Sequence, residues 1–405
     1  MTAARHTVAS AAGFPQSRDA PRIAIVAGEA SGDLLGAGLM RELRRHLPQA
    51  RFEGVSGPRM RAEGCATLYD VDDLSLIGFE GAARIPRVLA ARRRLAAYFR
   101  ARPPALYIGV DAPDFNLGLE KRLRAAGITT VHYVSPTVWA WREYRMRTIH
   151  RAVDHMLTLF PFEARYYRER GVPVTFVGHP MADEIAEDYD REAVRARLGL
   201  ETGRTLVALL PGSRIGELKR HARLFVRTAR CLHARRPELG FVAPFASEGT
   251  EALFRQALAL EGAEGLPIAL RLHQSRDALA AADVALLASG TATLEAALLR
   301  KPMVVTYRVS PLTEWLVRLF AHVRMYALPN HLAGRLLVPE LMQRDATPEK
   351  LGAALEAYLD NPAQAESVQR ALADMHAALK RNASARAAEA VLEVMRARHL
   401  LGPAT

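Results

Sequence analysis

Residues 22–47 read RIAIVAGEASGDLLGAGLMRELRRHL, and their pattern predicts a strand, a tight turn and a helix in that order. The run 22–27 is short and apolar, which is typical of a buried strand. The run 34–47 has the length and the apolar spacing of a helix. Strand–turn–helix units of this kind build parallel sheets, so the start of the chain predicts an α/β fold.

The same alternation continues along the chain and then restarts. Apolar strand-like runs follow at 106–110, 129–134, 156–160 and 174–177, and a second series occupies 205–210, 241–244, 268–272, 284–288 and 303–307. Two consecutive α/β series predict two Rossmann-like domains. Ligands bind beyond the carboxyl ends of parallel strands, so two such domains facing each other would enclose a ligand in an interdomain cleft.

The chain is expected to divide near a polar stretch that follows residue 178. We predict a disordered leader at 1–20, a first domain at 21–187 and a second domain at 188–365. Residues 366–405 are predicted to form C-terminal helices that could pack back on the first domain.

The composition is globular and strongly basic. Lys and Arg number 55 against 43 Asp and Glu, which gives a formal net charge of +12. This balance attracts nucleic acid, an anionic membrane or phosphorylated substrates. Only two cysteines are present, which excludes a disulfide framework and a cysteine-rich zinc site. No stretch has the ~20 apolar residues that are needed to span a bilayer.

The first glycine-containing turn is AGEASGD at 27–33. Gly28 and Gly32 would let the backbone turn tightly, and Ser31 or Asp33 could cap the next helix. A helix N-terminus at this place also attracts an anion. An ordinary strand-to-helix turn explains the pattern equally well.

The second polar turn, GVDAPDFN at 109–116, also follows a predicted strand. Asp111 stands where that strand ends, and a carboxylate there can take a proton from an attacking hydroxyl group. A capping aspartate in a proline-containing turn is the structural alternative.

Two turns of the second domain are suited to phosphate binding. Arg214 in PGSR (211–214) adds a guanidinium to a compact glycine-serine turn, although a surface arginine is the simpler interpretation. SGTATLE (289–295) opens a helix whose first N–H groups suit a diphosphate, with Glu295 about one turn further on. A helix-capping arrangement is compatible with this site.

The stretch 75–102 combines apolar and basic residues, as membrane-surface segments do. The residues predicted to contact an anionic membrane are Leu76, Ile77, Phe79, Arg92, Arg93 and Arg94. An amphipathic helix packed on the sheet is the alternative.

Taken together, the sequence motifs resemble those of the lipid-A-disaccharide synthase family, from residue 23 to about 359. The matching segments are AGEASGD (27–33), GPRMRAEGC (57–65), GVDAPDFN (109–116), HYVSPTVWAW (132–141), FPFE (160–163), VGHPMAD (177–183), LLPGSR (209–214), LLASGTATLEAAL (286–298) and ALPNHLAGR (327–335).

This resemblance implies a GT-B-type fold and a specific reaction. UDP-2,3-diacylglucosamine and 2,3-diacylglucosamine 1-phosphate would yield the β-1,6-linked disaccharide phosphate of lipid A biosynthesis and UDP. The reaction would invert the anomeric centre and use neither a metal ion nor a cofactor. The family implies a cytoplasmic protein of Gram-negative bacteria, peripherally attached to the inner membrane.

The resemblance also implies roles for particular residues. Asp111 would be the general base that deprotonates the acceptor hydroxyl. The first-domain wall of the cleft would contain Glu29, Ser31, Gly32 and Asp33. The nucleotide side would contain Arg214, Ser289, Gly290, Thr291, Glu295 and Asn330.

Two rival functions and the oligomeric state remain open at this point. A UDP-sugar epimerase of related fold would share the nucleotide turn but would need no acyl acceptor. A nucleic-acid-binding protein would explain the charge, but the sequence contains no recognised nucleic-acid module, so we expect no such partner. A homodimer is compatible with the sequence.

Overall fold

The computed structural model describes residues 20–72, 85–139, 143–309 and 325–401. The chain divides into two compact units. The first unit runs up to Pro180 and resumes at Lys380, and the second unit is Met181–Leu379.

Strands and helices alternate through most of both units. The strands are β1 (Arg22–Ala27), β2 (Arg51–Ser56), β3 (Ala66–Asp70), β4 (Leu106–Val110), β5 (Thr130–Tyr133), β6 (His155–Thr158), β7 (Val174–Phe176), β8 (Leu206–Leu210), β9 (Gly240–Phe245), β10 (Ile268–Leu272), β11 (Val284–Ala288), β12 (Met303–Tyr307) and β13 (Glu340–Met342). The helices are α1 (Ala30–His46), α2 (Pro58–Ala62), α3 (Ile85–Ala101), α4 (Pro113–Arg124), α5 (Met146–Ala152), α6 (Pro161–Arg168), α7 (Pro180–Glu184), α8 (Arg191–Arg197), α9 (Ile215–Arg235), α10 (Glu248–Leu260), α11 (Ser275–Ala281), α12 (Ala292–Leu298), α13 (Leu328–Ala333), α14 (Pro348–Asp360), α15 (Pro362–Leu379) and α16 (Ala383–Ala397).

Each unit contains one parallel sheet, which confirms the predicted α/β class. The first sheet has the order β3-β2-β1-β4-β5-β6-β7 and the second the order β10-β9-β8-β11-β12-β13. In both sheets the order reverses beside the first strand of the unit, because β1 lies between β2 and β4 and β8 lies between β9 and β11. Such reversal points are where open α/β sheets bind ligands, at the carboxyl ends of the strands.

Helices cover both faces of the first sheet. On one face, Ile23 and Ile25 of β1 pack in a core with Leu39 and Met40 of α1. On the other face, Ala24 and Val26 belong to a core that includes residues of α3 and α4. Strands covered on both faces are apolar along their whole length, which explains why β1 shows no alternation of polar and apolar residues.

The two C-terminal helices belong to different units. Helix α15 ends at Leu379 within the second unit, whereas α16 is part of the first and places Val391 and Met395 in the core beside α1. The predicted boundaries follow residues 187 and 365, whereas the two compact units divide after Pro180 and after Leu379. Helix α15 stays with the second unit because it packs on α12 and α14, and α16 returns to the first sheet, where its apolar residues cover one face.

Of the helices in the described residues, none combines the length and the hydropathy that a bilayer crossing requires.

Candidate functional site

The turn after β4 has an unusual backbone. Asp111 and Ala112 are both in the left-handed region, with φ of 55° and 42°. This conformation costs a non-glycine residue roughly 1–2 kcal/mol. Strain of this kind persists where surrounding contacts enforce it, and it is common at functional sites.

Asn116 of α4 provides those contacts. Its amide Nδ2 donates to the carbonyl oxygens of Asp111 at 2.8 Å and of Val26 at 3.2 Å, and the Tyr107 hydroxyl donates to its Oδ1 at 2.9 Å. Asn116 is fully buried. Asn116 therefore holds the Asp111 turn in place. The sequence did not indicate this role, because the hydrogen-bond partners of Asn116 belong to two segments that are distant along the chain, β1 and the end of β4.

The Asp111 carboxylate is half-buried and has one well-anchored oxygen. Oδ1 accepts the Ala112 N–H at 2.8 Å, and Oδ2 lies 3.5 Å from the Ser31 hydroxyl of α1. An ionised carboxylate has about four lone-pair positions, so Oδ2 retains capacity to accept a proton from a ligand. Gly28 is required here, because a Cβ at this position would lie 2.0 Å from the Cβ of Ala112.

Asp33 has a different environment from its neighbour Ser31. It is 2% exposed, and its carboxylate accepts the N–H groups of Gly57 at 2.8 Å, Arg59 at 2.9 Å and Met60 at 3.0 Å. Asp33 thus caps the start of α2. The remaining two predicted residues of this turn differ in exposure, since Glu29 is half-buried and Gly32 is buried.

Behind the Asp111 turn lies a buried histidine–glutamate pair that the sequence did not indicate. His132 Nδ1 on β5 is 2.7 Å from Glu120 Oε1 on α4, and both side chains are fully buried. Burial raises the pKa of Glu120. Burial opposes the charged form of His132, but the Glu120 carboxylate outweighs it and raises the pKa of His132. Gly109 leaves room for the pair, because a Cβ there would lie 2.1 Å from Glu120 Oε1.

The segment HYVSPTVWAW (132–141) contains two tryptophans, of which Trp139 packs within the first unit. Its ring meets Phe162 edge to face at 4.9 Å, and its Nε1–H donates to Glu163 at 3.3 Å. Burial raises the pKa of Glu163 to about 8. Trp141 lies outside the described residues.

In the second unit, the turn after β8 already contains a carboxylate. Glu217 of α9 accepts the N–H groups of Ser213 at 2.9 Å and Arg214 at 3.3 Å. Glu217 therefore occupies the helix terminus at which a phosphate was expected. The Arg214 side chain is 74% exposed and lies 3.9 Å from Glu217 Oε1, so the cationic group of this turn is accessible.

The turn after β11 is open at its glycine. Gly290 has φ of 152°, and there is open space where a Cβ would lie. The Ser289 N–H donates to Thr306 O at 2.9 Å and its hydroxyl to Tyr326 O at 3.3 Å, while Thr291 is exposed. These contacts hold the backbone of the turn and leave Gly290 and Thr291 at the surface.

Glu295 follows this turn and is oriented by two donors. Ser275 donates its hydroxyl to Oε2 at 2.9 Å, and the Arg276 Nε–H donates to Oε1 at 3.4 Å. Because a carboxylate accepts more than two hydrogen bonds, Glu295 can still accept from hydroxyl groups of a ligand.

Asn330 has all its hydrogen bonds inside the second unit. Its Nδ2 donates to Val338 O at 2.9 Å and to Glu340 at 2.7 Å. Its Oδ1 accepts the N–H groups of Leu337 at 2.8 Å and Val338 at 2.9 Å. The full capacity of the amide is used, and the residue is completely buried. Asn330 thus shapes the loop between α13 and β13.

The predicted membrane residues divide into three groups. Leu76, Ile77 and Phe79 lie outside the described residues. Arg92 is half-buried and packs on α4, because it donates to Asp114 O at 2.6 Å and its guanidinium lies 5.6 Å from the centre of the Phe115 ring. Arg93 and Arg94 are exposed.

Within the described ranges, no group of three or more His, Cys, Asp or Glu side chains is arranged to hold a metal ion.

Known proteins resemble this chain in sequence and in fold. The sequence model of the family described as "Lipid-A-disaccharide synthetase" matches residues 23–394. The chain is 51% identical to a lipid-A-disaccharide synthase of Pseudomonas aeruginosa strain UCBPP-PA14, covering 94% of this chain and 100% of the relative. It is 49% identical to the corresponding protein of Hahella chejuensis, covering 94% and 96%. The fold is similar to that of a UDP-GlcNAc 2-epimerase from Neisseria meningitidis solved with UDP-GlcNAc, with a TM-score of 0.62, 11% identity and coverage of 93% and 100%.

Proposed function

The chain belongs to the lipid-A-disaccharide synthase family, and we propose that it joins UDP-2,3-diacylglucosamine to 2,3-diacylglucosamine 1-phosphate with release of UDP. Family membership makes it a glycosyltransferase of lipid A biosynthesis. Family membership suggests these substrates, and the observation that carries the proposed reaction is the Asp111 carboxylate, which the strained turn holds at the reversal point of the first sheet.

The proposed chemistry is a single displacement. The 6-hydroxyl of the acceptor sugar transfers its proton to Asp111 Oδ2, and its oxygen bonds to the anomeric carbon of the donor. The attack comes from the face opposite the UDP oxygen, so the configuration inverts, and the bond from the anomeric carbon to that oxygen breaks with its electron pair going to UDP. Oδ1 already accepts the Ala112 N–H, so Oδ2, which faces the Ser31 hydroxyl, is the oxygen that we propose takes the proton.

UDP is proposed to leave from the reversal point of the second sheet. The exposed guanidinium of Arg214 supplies positive charge for the diphosphate in place of a metal ion. The open turn at Gly290 allows close approach of the phosphates, and Glu295 is placed about one helical turn further on to accept from the ribose hydroxyls. Asn330 contributes by holding the adjacent loop.

The acyl chains of both substrates keep them in a bilayer, since each buried CH₂ contributes ~0.8 kcal/mol. We therefore propose that the enzyme works at the cytoplasmic face of the inner membrane. The exposed Arg93 and Arg94 on α3 support this proposal, because they suit an anionic lipid surface. A homodimer stays a prediction.

The test is UDP release by the purified full chain in detergent, followed by mass spectrometry of the lipid product. We expect UDP only when both lipids are present, together with a tetraacyl disaccharide phosphate. Isomerisation or consumption of the UDP-sugar without the acceptor would instead favour an epimerase or a hydrolase.

A further inference from the structure

His221 joins the ends of two strands in the second unit. This fully buried residue of α9 places Nδ1 at 3.2 Å from the carbonyl oxygen of Pro211, the first residue after β8. Its Nε2 lies 2.9 Å from the backbone nitrogen of Arg308, the first residue after β12. The Tyr307 ring packs 4.9 Å from the imidazole and limits its rotation.

These two contacts determine the tautomer of the ring. A backbone N–H can only donate, so Nε2 must accept from Arg308. A carbonyl oxygen can only accept, so Nδ1 must carry the proton that is donated to Pro211. His221 is therefore a neutral imidazole with its proton on Nδ1.

The bridged residues lie on either side of the proposed diphosphate site. Strand β11 lies between β8 and β12 in the sheet, and it leads into the turn that contains Gly290. Pro211 begins the turn that ends at Arg214. The imidazole thus connects the backbone segments on both sides of the strand that leads to Gly290.

We propose that His221 is a positioning residue for the nucleoside diphosphate, because it holds the Pro211 and Arg308 segments at the separation at which Arg214 and the Gly290 turn bind one diphosphate. The inference rests on the proposed function. It adds a residue that touches neither the substrate nor the reacting atoms.

Protonation of His221 would remove the bridge. An imidazolium Nε2–H would face the Arg308 N–H, and the hydrogen bond between them would be lost. Burial lowers the pKa of His221, the Pro211 carbonyl partly opposes this, and nearby charges follow, with Arg220 and Arg308 lowering it and Glu217 raising it. The bridge is therefore intact above the ordinary histidine pKa of about 6.5 and is lost as the pH falls through the lower pKa of the folded protein.

The first test is calorimetric titration of UDP into the full chain. His221→Phe keeps a ring but leaves the Pro211 carbonyl and the Arg308 N–H without their partner. We expect UDP to bind the variant roughly 10-fold more weakly or worse, as an unpaired buried group predicts. His221→Gln, which can donate and accept with its amide, should lose less. His233→Gln is the matched control, because His233 lies on the same helix about 18 Å away by helical rise.

Two further readouts separate positioning from a general loss of stability. The KM for the UDP-sugar should rise in His221→Phe while the KM for the acceptor stays unchanged. The ratio of wild-type to His221→Phe affinity for UDP should stay constant down to pH ~6.5 and shrink only as the pH falls through the lower pKa of His221 in the folded protein. Taking the ratio removes the ionisation of UDP itself.

The outcomes distinguish this inference from the proposed function. If the wild type does not bind UDP, the proposed function fails. If the wild type binds UDP and both His221 variants bind UDP as tightly as the wild type, the inference is overturned. If His221→Phe does not fold, judged by circular dichroism and thermal unfolding, the affinity of His221→Gln decides: weaker binding supports the bridge, and unchanged binding contradicts it.

Discussion

The two sheets share a strand-order pattern but present different chemistry at their reversal points. In the first, a strained backbone carries the Asp111 carboxylate, and the buried amide of Asn116 holds the turn. In the second, a carboxylate from Glu217 already satisfies the helix terminus, and the accessible charge is the Arg214 guanidinium. The shared topology provides a similar place in both sheets, and we propose that these few side chains make the first suited to accepting a proton and the second to binding a phosphate.

The largest effect is expected when the carboxylate charge at the first reversal point is removed. Asp111→Asn should reduce turnover by about 10²–10⁴-fold, because an amide cannot accept the hydroxyl proton as a base. The rate of UDP release with both lipids measures this. Asp114→Asn is the control, since Asp114 is exposed and pairs with Arg145. Near-normal turnover by Asp111→Asn would show that Asp111 is not the general base.

The corresponding change at the second reversal point should have a smaller effect. Arg214→Gln should lower kcat by about 10–100-fold, toward the weak end of oxyanion-type contributions because this side chain is solvent-exposed. Arg255→Gln on α10, which removes an exposed arginine paired with Glu251, is the control. Equal rates for the two variants would show that Arg214 does not stabilise the leaving diphosphate.

The two buried asparagines allow a matched pair of substitutions. Asn116→Ala and Asn330→Ala should each lower the free energy of unfolding by about 1–3 kcal/mol, because each leaves buried backbone groups unpaired. Thermal and urea unfolding measure this. Their functional effects should diverge: Asn116→Ala should reduce turnover with UDP affinity unchanged, and Asn330→Ala should weaken UDP binding. Identical functional effects would argue against separate roles for the two units.

The basic helices α3 and α9 give a predicted difference in membrane binding. Replacing Arg93 and Arg94 of α3 by Gln should weaken binding to anionic vesicles by roughly 2 kcal/mol, at about 1 kcal/mol for each arginine. Arg223 and Arg227 of α9 are exposed but paired with Glu261, so their replacement by Gln serves as the control. Sedimentation with vesicles at low salt measures both. If the two double variants sediment with the vesicles to the same extent, Arg93 and Arg94 of α3 do not contribute to membrane binding.

The alternation of apolar runs was sufficient to predict the fold class and to place Asp111 at a strand end. Those features depend on local periodicity, which a sequence displays directly. Turn patterns also indicated Ser31, Asp33, Arg214 and Glu295, and the resemblance to a family added Glu29 and Asn330 and the role of each residue. The capping role of Asp33 could not be predicted, because it depends on contacts with residues more than twenty positions away.

Other site residues could not be found from the sequence, for a physical reason. Asn116 and Val26 are 90 positions apart, and His221 and Arg308 are 87 apart, because the strand order brings together loops that are distant along the chain. The role of Glu217 was missed for another reason. Glu217 is only three residues from Arg214, but an acidic residue in the first turn of a helix is too common to signal that it fills the expected phosphate position.

We propose that the first reversal point accepts the proton and the second binds UDP. The UDP affinities of Asp111→Asn, Arg214→Gln and the wild type, measured by calorimetry, test this proposal most directly. We predict that Asp111→Asn binds UDP as tightly as the wild type although its turnover is largely lost, and that Arg214→Gln binds UDP more weakly. Weakened UDP binding by Asp111→Asn, with unchanged binding by Arg214→Gln, would contradict the proposal.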